Sequence, residues 1–137
     1  MRGVTRRLIA EELRAARSAE TKGRAAFRVC EKLRQPLGKL VGVAGFRSLL
    51  SRALILARAE VPSLAGLQIS PDGELVFTSE FAAQLDREGS VASGSALTAQ
   101  LLGLLLTFIG EALTLRLVHN VWPNAALTVS EPKGTQS

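Results

Sequence analysis

The sequence predicts an all-α fold, a small bundle of four to five helices, on three observations. Aromatic residues are only 4% of the chain while hydrophobic residues make up 47%. A core of that kind is assembled from Leu, Ala, Val and Ile, which suits helix-on-helix packing better than a β-sandwich. Apolar residues recur at three- and four-residue spacing through most of the chain, the helical period. A single segment, near 66–77, alternates instead about a turn signature, so one short β-hairpin is expected as an insertion. A length of 137 residues suits one domain. That domain is expected over 1–130, with the polar residues 131–137 as a disordered tail.

The first helix is expected from Thr5, a candidate cap, with Val4, Leu8, Ile9, Leu13 and Ala16 on one face. Gly23 weakens the pattern and marks a break or a soft joint. Ala26, Cys30, Leu33, Leu37, Leu40 and Ala44 then trace a heptad seam. Pro36 falls inside it, so either this helix kinks there or a new one starts with Pro36 in its first turn. The helix is expected to run to Arg58 or Ala59, ahead of Pro62. Ser70-Pro71-Asp72-Gly73 is a strong turn, because proline presets the backbone angle at its second position and glycine accepts a positive one at its end. Thr78 or Ser79 can cap a short helix reaching Arg87, and Ser93 or Ser95 the next. The last helix is expected over 96–120 as the spine of the bundle, stopped by Pro123.

That last helix has two faces. Leu97, Leu101, Leu104, Leu105, Phe108, Ala112 and Leu115 form an apolar one, with Leu105 and Phe108 expected in the core. Ala96, Gln100, Gly103, Thr107, Gly110 and Thr114 form a seam of small or polar residues. Small residues let backbones approach closely, so the seam is a candidate helix–helix interface. Its partner is either Gly38, Gly42 and Gly45 of the same chain or a second copy. No charge occurs from Gly89 to Gly110, long enough to cross a bilayer. Ser90, Ser93, Ser95, Thr98, Gln100 and Thr107 dilute it, and the favoured expectation is a helix surrounded by others.

Charge divides the chain. Residues 1–58 carry fourteen Lys or Arg against four Glu, a net +10, and residues 59–137 carry three against eight Asp or Glu, a net −5. If the first helix continued past Gly23, Arg7, Arg14, Arg17, Arg24 and Arg28 would share one stripe, a candidate surface for an anion or an acidic partner. Phe27 and Phe46 are the only aromatics in this half, too few to stack bases, and no helix-turn-helix, zinc-finger or RNA-binding signature occurs.

Catalysis finds little in the sequence. His119 is the one histidine and Cys30 the one cysteine. His119 falls near a helix C-terminus, where a cation complements the dipole. Cys30 occupies a core position, and Glu111 interrupts an apolar stretch where an arginine could pair with it. No cofactor, metal or catalytic residue is assigned. A start without an apolar leader, and a lone thiol, fit a cytoplasmic protein. The expectation is a non-enzymatic helical interaction module, a self-associating subunit or adaptor with a basic partner-binding face. The alternatives are an accessory protein gripping nucleic-acid phosphates without sequence specificity, and a membrane-associated protein anchored by the last helix.

Overall fold

The computed structural model describes residues 2–15, 22–88 and 90–123. Among them are five helices and one hairpin: α1 (Arg2–Ala15), α2 (Lys22–Glu60), β1 (Leu67–Ile69), β2 (Leu75–Phe77), α3 (Ser79–Glu88), α4 (Ala92–Ile109) and α5 (Glu111–Val121). A 3₁₀ turn over Pro62–Gly66 joins α2 to β1. The all-α bundle with a hairpin insertion is the architecture the sequence predicts. One core cluster draws Leu8 from α1, Leu33 and Leu50 from α2, Phe81 from α3, Leu101 from α4 and Val118 from α5.

The contact between α2 and α4 organises this core. A Cβ added at Gly94 would stand 2.5 Å from the Cβ of Ala26. The two backbones therefore meet at a distance only glycine permits. One turn further along both helices, the Cys30 Sγ lies 3.5 Å from the Thr98 Oγ1. Both pairs are separated by 68 residues, so the start of α2 and α4 run parallel. The same offset relates Gly42 to Gly110.

Those two glycines break their helices in the same way. Gly42 has φ 83° and ψ 160°, and Gly110 has φ 88° and ψ 163°. This region of backbone space is open essentially to glycine alone. Twelve residues separate Cys30 from Gly42 and Thr98 from Gly110, about 18 Å of helix in each case. The two corners therefore stand at one end of the bundle.

The break in α2 is thus at Gly42 and not at Pro36, which lies inside the helix. Leu33 and Leu37, both buried, hold the helix on either side of the proline, and packing outweighs one lost backbone bond. The heptad seam holds through Ala26, Cys30, Leu33 and Leu37, then ends at the corner, leaving Leu40 and Ala44 exposed. Past Gly42, residues 43–60 return Phe46, Leu50, Ala53, Leu54 and Ala57 to the core.

The expected single helix over 96–120 is likewise two, bent at Gly110. Leu105 is buried, as the sequence indicated, whereas Phe108 is 63% exposed. The buried stripe of α4 steps through Leu97, Leu101, Leu102 and Leu105. Ile109, partly buried against the core, takes its next position and turns Phe108 outward. Thr5 is buried within α1 and does not cap it. Ser90, rather than Ser93 or Ser95, receives the Ala92 N–H at the start of α4, at 3.1 Å.

The hairpin follows its turn chemistry. Gly73 has φ 84°, its N–H donates to the Ser70 carbonyl at 2.9 Å, and the Ser70 hydroxyl accepts from the N–H groups of Asp72 and Glu74. Two short strands need support, and Phe77 receives it edge-on from Phe27 at 5.1 Å between ring centres. Thr78 caps α3 by accepting the Phe81 N–H at 3.2 Å.

Three alanine substitutions separate these roles, each read by urea unfolding. Gly94→Ala should destabilise by about 1–3 kcal/mol, because the backbones must part. Gly110→Ala should cost a similar ~1–3 kcal/mol through strain alone. Gly103→Ala, where an added Cβ meets no other atom within 4 Å, should be neutral or gain up to about 1 kcal/mol.

Candidate interaction surface

The proposed arginine stripe does not form as one line. α1 ends at Ala15 and α2 begins at Lys22, so Arg7 and Arg14 stand on one helix and Arg24 and Arg28 on another. Arg17 lies outside the described residues. Arg14 pairs with Glu11 in its own helix. Arg24 reaches Asp86 of α3 with two bonds, at 2.8 and 3.2 Å, and Arg7 and Arg28 are engaged as well. Further along α2, Arg34 meets Glu74 at 3.5 Å and Arg58 donates to the carbonyls of Leu64 and Leu67. Much of the basic half is thus turned onto the chain's own acids and carbonyls.

One contact of this kind is buried. The Glu12 carboxylate, 2% exposed, accepts from the Lys32 ammonium at 2.7 Å and from the Trp122 Nε1–H at 2.8 Å. It ties α1 to α2 and to the residue that ends α5. Sequence reasoning missed it, because Glu12 sits beside Glu11 with nothing local to distinguish them. The one available signal is position, since Glu12 lies four residues after Leu8 on the apolar face of α1.

The small seam divides along its length. Ala96 is buried and Gln100 donates to Glu60 at 2.7 Å. Gly103 is open and Thr107 exposed. Gly110 is the corner, and the buried Thr114 hydroxyl donates to its carbonyl at 2.7 Å. The intrachain form of this interface, with the seam against Gly38, Gly42 and Gly45, does not occur. No atom from elsewhere comes within 4 Å of a Cβ built at Gly38, Gly42, Gly103 or Gly110, and at Gly45 only the Val41 side chain does. The close approach expected of glycine falls two turns earlier, at Gly94 on Ala26.

The groups with chemistry of their own are dispersed. Cys30 is fully buried, and burial pushes its thiol up to about 12, with the Thr98 hydrogen bond working against this and the Glu31 charge with it. His119 is exposed in the last turn of α5, where its charged form complements the helix dipole. Glu111 is exposed in the first turn of α5, the favourable end for an acid.

The surface departs most from a closed globule where the two corners lie. Leu40 is 46% exposed and Val43 55%, flanking Gly42 as Phe108 and Leu113 flank Gly110. A groove of about 300 Å³ lies between α2 and α5, lined by Pro36, Lys39 and Leu40 from the one and by Leu113, Arg116 and Leu117 from the other. A larger groove of about 690 Å³ opens beside it and carries mixed charge, with Glu31 and Asp72 facing Lys32, Arg34 and Lys39. No family model, curated protein or solved structure matches this chain.

The thiol supplies a direct check on the core. Native protein at pH 8 should resist alkylation of Cys30 by iodoacetamide, with modification following global unfolding, as read by mass spectrometry. Because the folded pKa lies above the unfolded value of 9.0, the unfolded chain loses its proton first. Stability should therefore hold below about pH 9 and fall as pH rises toward 12.

Proposed function

We propose that this protein is a non-enzymatic helical interaction module whose working part is an exposed surface, the end of the bundle where Gly42 and Gly110 turn the chain. The observation that carries this reading is the exposure there of Leu40, Val43, Phe108 and Leu113, in a chain that fully buries Leu33, Leu37, Leu101 and Leu105 one or two turns away. Contiguous apolar surface on a soluble domain marks a contact site. The corners also fix it in place, since each halts a helix in a conformation that holds the adjoining side chains outward.

The buried, proton-retaining thiol and the isolated imidazole support a binding role over nucleophilic or acid–base work. The N-terminal arginines, half of this reading at the level of sequence, contribute less than their number suggests, because Arg14 and Arg24 already hold carboxylates. Self-association remains one use of the surface, and the open stretch of α4 at Gly103 and Thr107 adjoins it.

A Leu40→Ser, Phe108→Ser double variant tests the assignment. Both side chains are largely exposed, so the thermal midpoint should stay level or rise. The intact protein should be retained on an octyl matrix at high salt or gain mass with concentration in light scattering, and the variant should do neither. Wild-type protein that remains monomeric and elutes with the variant would overturn the reading. As a companion measurement, Leu105→Ala should cost about 2–5 kcal/mol, and Phe108→Ala close to nothing.

A further inference from the structure

The apolar end also carries cations of the basic half that no acid of the chain holds at salt-bridge distance. From Gln35 to Ala59 there is no Asp or Glu, and from Ile109 to Val121 Glu111 is the single acid. Lys39, Arg47, Arg52 and Arg116 are exposed within these two segments. Among the described residues none of the four has a carboxylate at salt-bridge distance, in contrast to Arg14, Arg24, Lys32 and Arg34. Lys39 and Arg116 line the same groove as Leu40 and Leu113. Arg47 follows Val43 by one helical turn.

A second quantity points the same way. α2 holds an 18-residue stretch of mean hydropathy 1.6, and the fold buries only 28% of it. Its apolar character therefore exceeds what the core uses. Arginines at 47 and 52 within the helix make a spanning position costly, whereas a helix lying at the interface keeps such cations among the headgroups.

Resting on the surface assigned above, we propose that the corner end docks on an anionic lipid bilayer. Leu40, Val43 and Phe108 enter the boundary between headgroups and acyl chains, and Lys39, Arg47 and Arg116 meet lipid phosphates. Charge selects this occupant over the two others. A second copy in a symmetric dimer would set these cations against one another, with Glu111, and Glu31 and Asp72 beside Lys39, as the acids nearby. Nucleic acid would satisfy the cations but offers no apolar layer to Val43 and Phe108. A bilayer with acidic headgroups supplies both chemistries in the order the surface presents them.

The test is flotation of the full chain with vesicles of phosphatidylcholine alone and of phosphatidylcholine mixed with phosphatidylglycerol. Wild type should float with the mixed vesicles and not with the neutral ones. A Lys39→Gln, Arg47→Gln, Arg116→Gln variant should bind about tenfold more weakly or worse, since each cation near an anionic leaflet contributes measurably. The Leu40→Ser, Phe108→Ser variant should lose binding by a similar factor. Arg87→Gln, on α3, should bind as wild type, and circular dichroism should show every variant folded. Absence of flotation, equal flotation with neutral vesicles, or apolar variants that bind undiminished would each overturn the proposal. A dimer dissolved by the apolar variant, with no vesicle binding, would overturn the lipid assignment and leave the surface itself standing. Loss of that dimer, of octyl retention and of flotation together would remove both.

Discussion

The rest of the structure depends on the place where Gly94 lies on Ala26. With only the Ala26 methyl between them, the two backbones set the register of α2 against α4 to within a residue, and Cys30 beside Thr98 repeats the setting one turn on. Everything above that level inherits it. The corners at Gly42 and Gly110 come to the same height because the same number of residues leads to each. The apolar end is a surface, and not two separate exposed residues, for that reason. A different register would move one corner about 1.5 Å along the axis per residue and rotate its neighbours by about 100°. Leu40 and Phe108 would then no longer belong to one end.

Electrostatics ties the elements together along the same axis. Between the start of α2 and its corner, cations are met by acids from elsewhere in the chain: Arg24 by Asp86, Lys32 by Glu12, Arg34 by Glu74. The two exposed pairs, Arg24 with Asp86 and Arg34 with Glu74, contribute little stability, about 0–1 kcal/mol each. Their effect is to neutralise these cations, whereas Arg6, Lys22 and Arg87, like Lys39, Arg47, Arg52 and Arg116, have no carboxylate at salt-bridge distance among the described residues. The strong asymmetry of the sequence, +10 over 1–58 and −5 over 59–137, is thus offset only in part within the fold.

What was legible in the sequence is what local chemistry decides. The Ser70-Pro71-Asp72-Gly73 turn, the Thr78 cap and the buried run Ala26, Cys30, Leu33 and Leu37 follow from angles, donors and spacing within a few residues. The corners did not follow. A glycine within an apolar helix can be helical, can sit under a neighbour or can take a positive φ, and only the packing around it selects among these. Of the seam glycines, Gly103 took the first course and Gly110 the third, while Gly94, ahead of the seam, took the second. A weak clue existed in Glu111 directly after Gly110, an acid where a new helix would begin. The misplacement of Phe108 is a consequence of the same event, because the face a residue presents depends on where its helix stops. Pairs such as Arg24 with Asp86, 62 residues apart, lie beyond any local pattern, though the charge asymmetry indicated that they would exist.

The buried carboxylate of Glu12 has a consequence for the order in which the chain can assemble. Its two partners lie in α2 and at the very end of α5, so it is committed across a separation of 110 residues on one side and 20 on the other. During synthesis α1 precedes α5, so its buried acid has no Trp122 to accept from until α5 has been made. α1 is thereby secured well after it appears. A nascent chain lacking α5 would carry a carboxylate placed for burial with one of its donors missing.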